Sequence, residues 1–250
     1  MDHVEVSVVG HEDRPRLEAG GGIDQVRKRR RITSRVRAGI RLANPVARHN
    51  IPDVLGLLRV PEASVDRLRK FLLPVELAEA ELRAKPAAAV MVVLRDGNRG
   101  LEVLLAERRK REGDPWSGQI GLPGGRHHVE DGTLLATALR ETREEVGVEL
   151  EDNAEILGHM PPRAPGNKPE LLVVPFVALA RSVGAPVSGP EMESIFWVVL
   201  GDLLPTHRMA TVPTILGELT VPAFLYGDRL IWGFTYRILE ELLVFVGLSA

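Results

Sequence analysis

Apolar positions recur along the chain with two periods, and the switch between them sets out the expected elements. Between Glu62 and Leu72, Val65, Leu68, Phe71 and Leu72 fall at helical intervals until Pro74 stops the pattern. A second short helical stretch runs from Val75 to Ala84, ahead of Pro86. Ala87 to Leu94 is then a continuous apolar run, β-branched toward its end, and reads as a buried strand. The Asp96-Gly97-Asn98 turn and the resumption at Leu101 to Glu107 predict a hairpin. Arg108 to Gly121, charged and interrupted by Gly and Pro, predicts a long loop of the kind that carries function. Thr133 to Val146 has the strongest helical signal, with Leu134, Leu135, Ala138 and Leu139 on one face and Gly147 as the stop. Strands are expected at Ala154 to Met160, Leu171 to Ala178 and Ile195 to Val199, with a loop from Pro161 to Pro169. A closing amphipathic helix is expected from Leu230 to Val246, with Trp232 in its core. This irregular mixture predicts an α+β fold with a mixed sheet between helices, not a regular βαβ array.

Composition narrows the class. With 250 residues, 44% apolar and 26% charged, the chain is an ordinary globular sequence with room for one large or two small domains. Ala87 to Leu94 falls far short of the roughly 20 residues a spanning helix needs, so no membrane partner is expected. Met1-Asp2-His3-Val4-Glu5 lacks a secretory start. The absence of cysteine excludes disulfides, thiolate metal sites and cysteine nucleophiles, and a cytoplasmic protein is expected.

Charge divides the chain. Residues 1–50 hold 11 Lys/Arg against 6 Asp/Glu, and the other 200 hold 21 against 28. The excess lies in Arg27-Lys28-Arg29-Arg30-Arg31 with Arg35, Arg37 and Arg41, behind a Gly20-Gly21-Gly22 joint. Such a run self-repels, so residues 1–50 are expected to form a solvated, poorly ordered arm. Nucleic-acid contact stays open only through Arg27 to Arg41. Residues 51–85 form a leading helical segment, and residues 86–250 the main domain.

The candidate chemistry lies in Arg140-Glu141-Thr142-Arg143-Glu144-Glu145-Val146-Gly147. At about 100° per residue, Glu141, Glu144 and Glu145 share an arc of roughly 100°. Like charges so placed repel, and a hard divalent cation such as Mg²⁺ or Mn²⁺ would offset the repulsion. By itself the helix reads first as a solvated acidic face balanced by Arg140 and Arg143. The Gly121-Leu122-Pro123-Gly124-Gly125-Arg126 turn just upstream favours a site, because glycines let backbone carbonyls or N–H groups approach a ligand closely. His127 and His128, adjacent on one loop, do not converge on one ion.

Gly125…Arg140-Glu141-x-x-Glu144-Glu145-x-Gly147 resembles the Nudix box, G-x5-E-x7-R-E-U-x-E-E-x-G-U. Two departures are visible. The interval from Gly125 to Arg140 is one residue longer, which leaves Glu130 or Asp131 nearest the box's first glutamate, and Thr142 holds a position that is usually aliphatic. Leu104-Leu105-Ala106-Glu107-Arg108, followed by Gly118-Gln119-Ile120-Gly121-Leu122-Pro123-Gly124-Gly125, is similar to the extra motif of coenzyme A pyrophosphatases. Arg111 to Ser117 departs from that motif's spacing. The likeness covers roughly Ala87 to Val246.

The resemblance implies a Nudix-type α/β/α sandwich and a metal-dependent pyrophosphohydrolase acting on a small-molecule nucleotide. Glu141, Glu145, Glu144 and the Gly125 carbonyl are implied to hold Mg²⁺ or Mn²⁺. Glu144 is further implied as general base, and Arg140 as the residue that orients the carboxylates. Arg108 and Arg126 are candidates for phosphate contact through forked donors. Glu191 or Glu193, ahead of a strand, is a candidate extra base, and Trp116 a candidate for stacking adenine or for packing. Coenzyme A or acyl-coenzyme A, cleaved to 4′-phosphopantetheine and 3′,5′-ADP, is the expected substrate. ADP-ribose, NADH, nucleoside triphosphates and a non-catalytic nucleotide-binding scaffold are the alternatives, and an oligomer stays open.

Overall fold

A computed structural model describes residues 63–83, 87–111, 117–214 and 217–248. The basic stretch Arg27 to Arg41 and Trp116 lie outside the described residues. The apolar run from Ala87 extends into β1 (Ala87–Gly97), which turns into β2 (Gly100–Arg108) as the expected hairpin. Other strands of this sheet are β3 (Ile120–Gly121), β4 (Gly124–Arg126), β5 (Ala154–His159), β6 (Leu172–Ala180) and β7 (Met192–Val199). β1 lies parallel to β6 along its length, and the other pairs are antiparallel, so the sheet is mixed.

The hairpin is paired only near its turn, from Leu94 with Val103 to Gly97 with Gly100. Beyond that the two strands part and the Gly-rich segment fills the gap. Ile120 and Gly121 pair with Glu107 and Ala106 of β2, while Gly124 and Gly125 pair with Val90 and Ala89 of β1. Met91 N–H donates to the Pro123 carbonyl over 2.8 Å. The split between two core strands therefore fixes the backbone of the candidate turn.

Alternation along β1 sorts side chains to two faces. Ala89, Met91 and Val93 face a cluster with Leu134, Ala138 and Val146 of α2 (Leu134–Val146). Val92 and Leu94 face a second cluster with Leu68 of α1 (Ala63–Phe71) and Ile238, Leu239 and Leu242 of α3 (Gly233–Val246). Helices thus cover both sheet faces, giving the expected α/β/α sandwich. Among the described residues no helix is long and apolar enough to cross a membrane.

α2 is held at both ends. Thr133 caps it by accepting from Ala136 N–H at 3.0 Å. Glu79 adds a second cap across 55 residues, its Oε1 accepting from Leu134 N–H at 3.0 Å. Glu79 lies on Val75–Arg83, the expected second helical stretch, which takes the tighter 3₁₀ form, and Ala78 beside it is buried against the α2 side of the sheet. At the other end Gly147 adopts φ 65°, and Val187 and Gly189 donate their N–H groups to the Val146 and Glu145 carbonyls. Thr142, at the usually aliphatic position, is fully buried and satisfies its hydroxyl on the Ala138 carbonyl at 2.6 Å.

The closing segment differs from expectation. Arg229–Trp232 forms β10, and the helix starts only at Gly233, which takes φ 67°. Leu230 and Ile231 pair with Leu225 and Phe224 of β9 (Gly217–Tyr226), which in turn pairs with β8 (His207–Thr214) to make a separate three-stranded sheet. Trp232 therefore ends a strand and is not in the core of a helix. The β8–β9 hairpin has no counterpart in the sequence expectation, because Pro213 and Pro222 interrupt its strand-like stretches.

The long-range cap yields the first prediction. Glu79→Ala should lower stability by about 1 kcal/mol, read as a lower urea midpoint at unchanged m-value, whereas Glu79→Gln should stay near wild type.

Candidate active site

Arg140 is the centre of the acidic face. Its Nε and Nη2 donate to the two oxygens of Asp131 at 2.7 and 3.0 Å, a forked pair. Its Nη1 donates to Glu141 Oε1 at 2.9 Å and to Glu144 Oε2 at 3.0 Å. Asp131 also accepts from the His128 backbone N–H at 3.1 Å and the Thr137 hydroxyl at 2.8 Å. The Arg140 guanidinium foremost, then these two donors, hold the Asp131 carboxyl far below the usual carboxylate range. Of the two candidates for the box's first acid, Asp131 is the partner of Arg140, and Glu130 is exposed.

Glu145 lies deeper. It is 7% exposed, accepts from Gly124 N–H at 3.0 Å through Oε2, and meets Arg108 Nη1 at 3.2 Å through Oε1. Burial pushes its pKa up to about 7, with the charges of Glu141 and Glu191 adding to the rise; the Gly124 N–H and Arg108 act against it. The other end of the Arg108 fork donates to Glu191 Oε2 at 2.9 Å, and Arg111 approaches Glu191 at 3.6 Å. Glu191 thus joins the cluster from the residue ahead of β7, seated where Arg109 N–H donates to its carbonyl.

Gly125 lies close against the acidic helix. A Cβ there would collide with the Glu141 carboxylate, and one at Gly124 with the Ala89 carbonyl. The strand backbone therefore lies directly against the helix carboxylates. Since successive residues of a strand face opposite ways, Arg126 points to the other side of the sheet, across from Ala88, where it is exposed. The structure brings Arg108 to the carboxylates and leaves Arg126 on the opposite face. His127 Nδ1 lies 2.9 Å from the Thr137 hydroxyl, a packing contact behind the Asp131–Arg140 pair.

Five carboxylates (Asp131, Glu141, Glu144, Glu145 and Glu191) share three guanidiniums (Arg108, Arg111 and Arg140). Among the described residues no three His, Cys, Asp or Glu side chains are arranged around a common point, because each carboxylate is drawn to an arginine. The donor set nonetheless suits a hard divalent cation: it is all oxygen, one member is buried at the cost of a raised pKa, and two negative charges are left over. The residue that sequence reasoning missed is Glu79, whose cap spans 55 positions and leaves no local signal.

Asp131 gives a pH-dependent prediction. Its folded-state pKa is depressed, so its stabilisation is present above the unfolded value of about 4 and is lost as pH falls through the lower folded value. Asp131→Asn should lower stability by roughly 2 kcal/mol at neutral pH. In urea unfolding across pH, the gap from wild type should narrow as the solution is acidified below the ordinary carboxylate range.

The family model for the NUDIX domain matches residues 85–215. The mitochondrial coenzyme A diphosphatase NUDT8 of Mus musculus is 31% identical over 168 residues, covering 64% of this chain and 79% of that protein. The peroxisomal coenzyme A diphosphatase ndx-8 of Caenorhabditis elegans is 36% identical over 143 residues, covering 56% of this chain and 60% of that one. Among solved structures, the NUDIX domain of Shewanella oneidensis NrtR complexed with ADP ribose is similar at 25% identity and a TM-score of 0.39, covering 48% of this chain and 75% of that chain. With the Gly-rich strand seated against a helix that carries Arg140, Glu141, Glu144 and Glu145, and with that match over more than half of its length, the chain belongs to the NUDIX family of hydrolases that act on pyrophosphate bonds.

Proposed function

We propose that the protein is a metal-dependent coenzyme A diphosphatase, cleaving coenzyme A or an acyl derivative to 4′-phosphopantetheine and 3′,5′-ADP. The observation that carries the reading is the excess of carboxylate over guanidinium between α2 and the Gly124–Gly125 backbone. It is joined by the Leu104-Leu105-Ala106-Glu107-Arg108 and Gly118 to Gly125 motifs and by the likeness to two coenzyme A diphosphatases. Two of the relatives are named as mitochondrial and peroxisomal, so the cytoplasmic location rests on the sequence features alone.

Glu141 and Glu145 would hold Mg²⁺ or Mn²⁺, with Glu144 and the Gly125 carbonyl completing the set. The ion, when bound, neutralises the diphosphate and acidifies water. The remaining roles belong to the chain's own side chains. Glu144 has more than half of its side chain exposed, so its carboxylate can reach an attacking water and take its proton. Arg140, anchored by Asp131, sets the orientation of Glu141 and Glu144 at once. Arg108 lies where a phosphate of the substrate would meet the carboxylate cluster, and its fork suits phosphate oxygens. Arg126 serves a phosphate only if the substrate reaches the other face of the sheet.

Incubation of the protein and Mg²⁺ with coenzyme A should yield 4′-phosphopantetheine and 3′,5′-ADP by mass spectrometry. Intact coenzyme A beside rapid turnover of ADP-ribose would move the specificity to the alternative class. Glu144→Gln should lower kcat on the preferred substrate by about 10²-fold or more, with far-UV circular dichroism unchanged. Near-normal turnover would remove Glu144 as the base.

A further inference from the structure

The arginine at the edge of the cluster holds two carboxylates at once. Arg108 Nη1 lies 3.2 Å from Glu145 Oε1, and Nη2 lies 2.9 Å from Glu191 Oε2. One planar guanidinium therefore bridges α2 to the residue ahead of β7. Glu145 is buried, so its oxygens have few other partners: Gly124 N–H takes Oε2, and Arg108 takes Oε1. Glu191 is nearly half exposed and is shared with Arg111 at 3.6 Å. The two ends of the fork are thus anchored unequally in kind, one on an inner carboxylate that a divalent cation would claim, the other on an outer carboxylate that lies off the helix.

We propose that Arg108 is a built-in counter-cation. It holds Glu145 in place of a divalent ion, swings its Nη1 end off when that ion arrives, and, still tethered by Glu191, presents that end to a phosphate of the substrate. The inference rests on the metal-dependent reading above. It adds an order of events: cation first, nucleotide second, with Glu191 as the positioning residue that keeps the released guanidinium at the site.

A guanidinium and a divalent ion drawn to the same buried carboxylate repel each other at close range, so the two compete for Glu145. Removing the competitor strengthens cation binding even as it removes a phosphate contact, and this pairing of opposite effects separates the mechanism from a purely structural ion pair. A structural Arg108 would, when removed, loosen Glu145 and weaken cation binding. Arg140 offers no equivalent exchange, because Asp131 occupies its fork and its remaining nitrogen is divided between Glu141 and Glu144.

The test is direct Mn²⁺ binding by electron paramagnetic resonance on the full chain without nucleotide. Arg108→Met keeps the length of the side chain and removes its charge. It should bind Mn²⁺ about tenfold more tightly than wild type, within the range usual for two coupled sites, while its KM for coenzyme A rises. Equal or weaker Mn²⁺ binding by a folded R108M protein would overturn the proposal. Should R108M not fold, the wild type decides by guanidinium nitrogen NMR. Resolved, slowly rotating Arg108 Nη signals should average on saturation with Mg²⁺, and signals unchanged by Mg²⁺ would overturn it equally. Absence of any Mn²⁺ binding by the wild type would instead defeat the metal-dependent reading, and this inference with it.

Discussion

Negative charge crowded onto one face of a helix has to be held, and nearly everything else in this molecule is arranged around that constraint. Three glutamates within a turn and a half of α2 repel one another. The fold answers with two arginines used in different ways. Arg140, on the same helix, is locked by both oxygens of Asp131 and spends its third nitrogen on Glu141 and Glu144. Arg108, at the end of a core strand, reaches Glu145 from the side. The first pair is a rigid frame. The second joins groups at the edge of the cluster, one inner and one outer.

Burial sets the difference between the three glutamates. Glu144 faces water, Glu141 lies against the Gly125 backbone, and Glu145 is packed beneath Gly124 with its pKa raised to about 7. Desolvation penalises the charged form of Glu145, and any cation drawn to the cluster relieves that penalty most. A gradient from exposed to buried along one helix thus gives residues of the same chemical type three different environments.

The backbone that faces these carboxylates is placed by a sheet defect. β1 and β2 pair for four residues and then part, and the Gly-rich turn occupies the opening, with one short strand on each. Main-chain pairing holds the turn where a side chain at Gly125 would strike Glu141. The helix itself is fixed from outside the family-matched region, by Glu79 on the leading segment, and at its far end by the N–H groups of Val187 and Gly189. The site is therefore rigid because elements distant in the chain close both ends of one helix.

Local pattern determined much of this. The hairpin, the acidic helix with its Thr133 and Gly147 ends, and the α+β class follow from periodicity and turn residues, because each is settled by neighbours a few positions apart. The acidic trio, Arg140 and the Gly-rich turn were legible for the same reason. Tertiary structure alone decided the rest. It chose Asp131 over Glu130, brought Arg108 and Glu191 together across 83 positions, and sent Arg126 to the far face of the sheet. It also made a strand of Arg229 to Trp232, where the pattern from Leu230 onward reads as the start of an amphipathic helix. These outcomes depend on which strand lies beside which and on the alternation of faces within the sheet, and pairing between distant segments leaves no periodic trace in either of them.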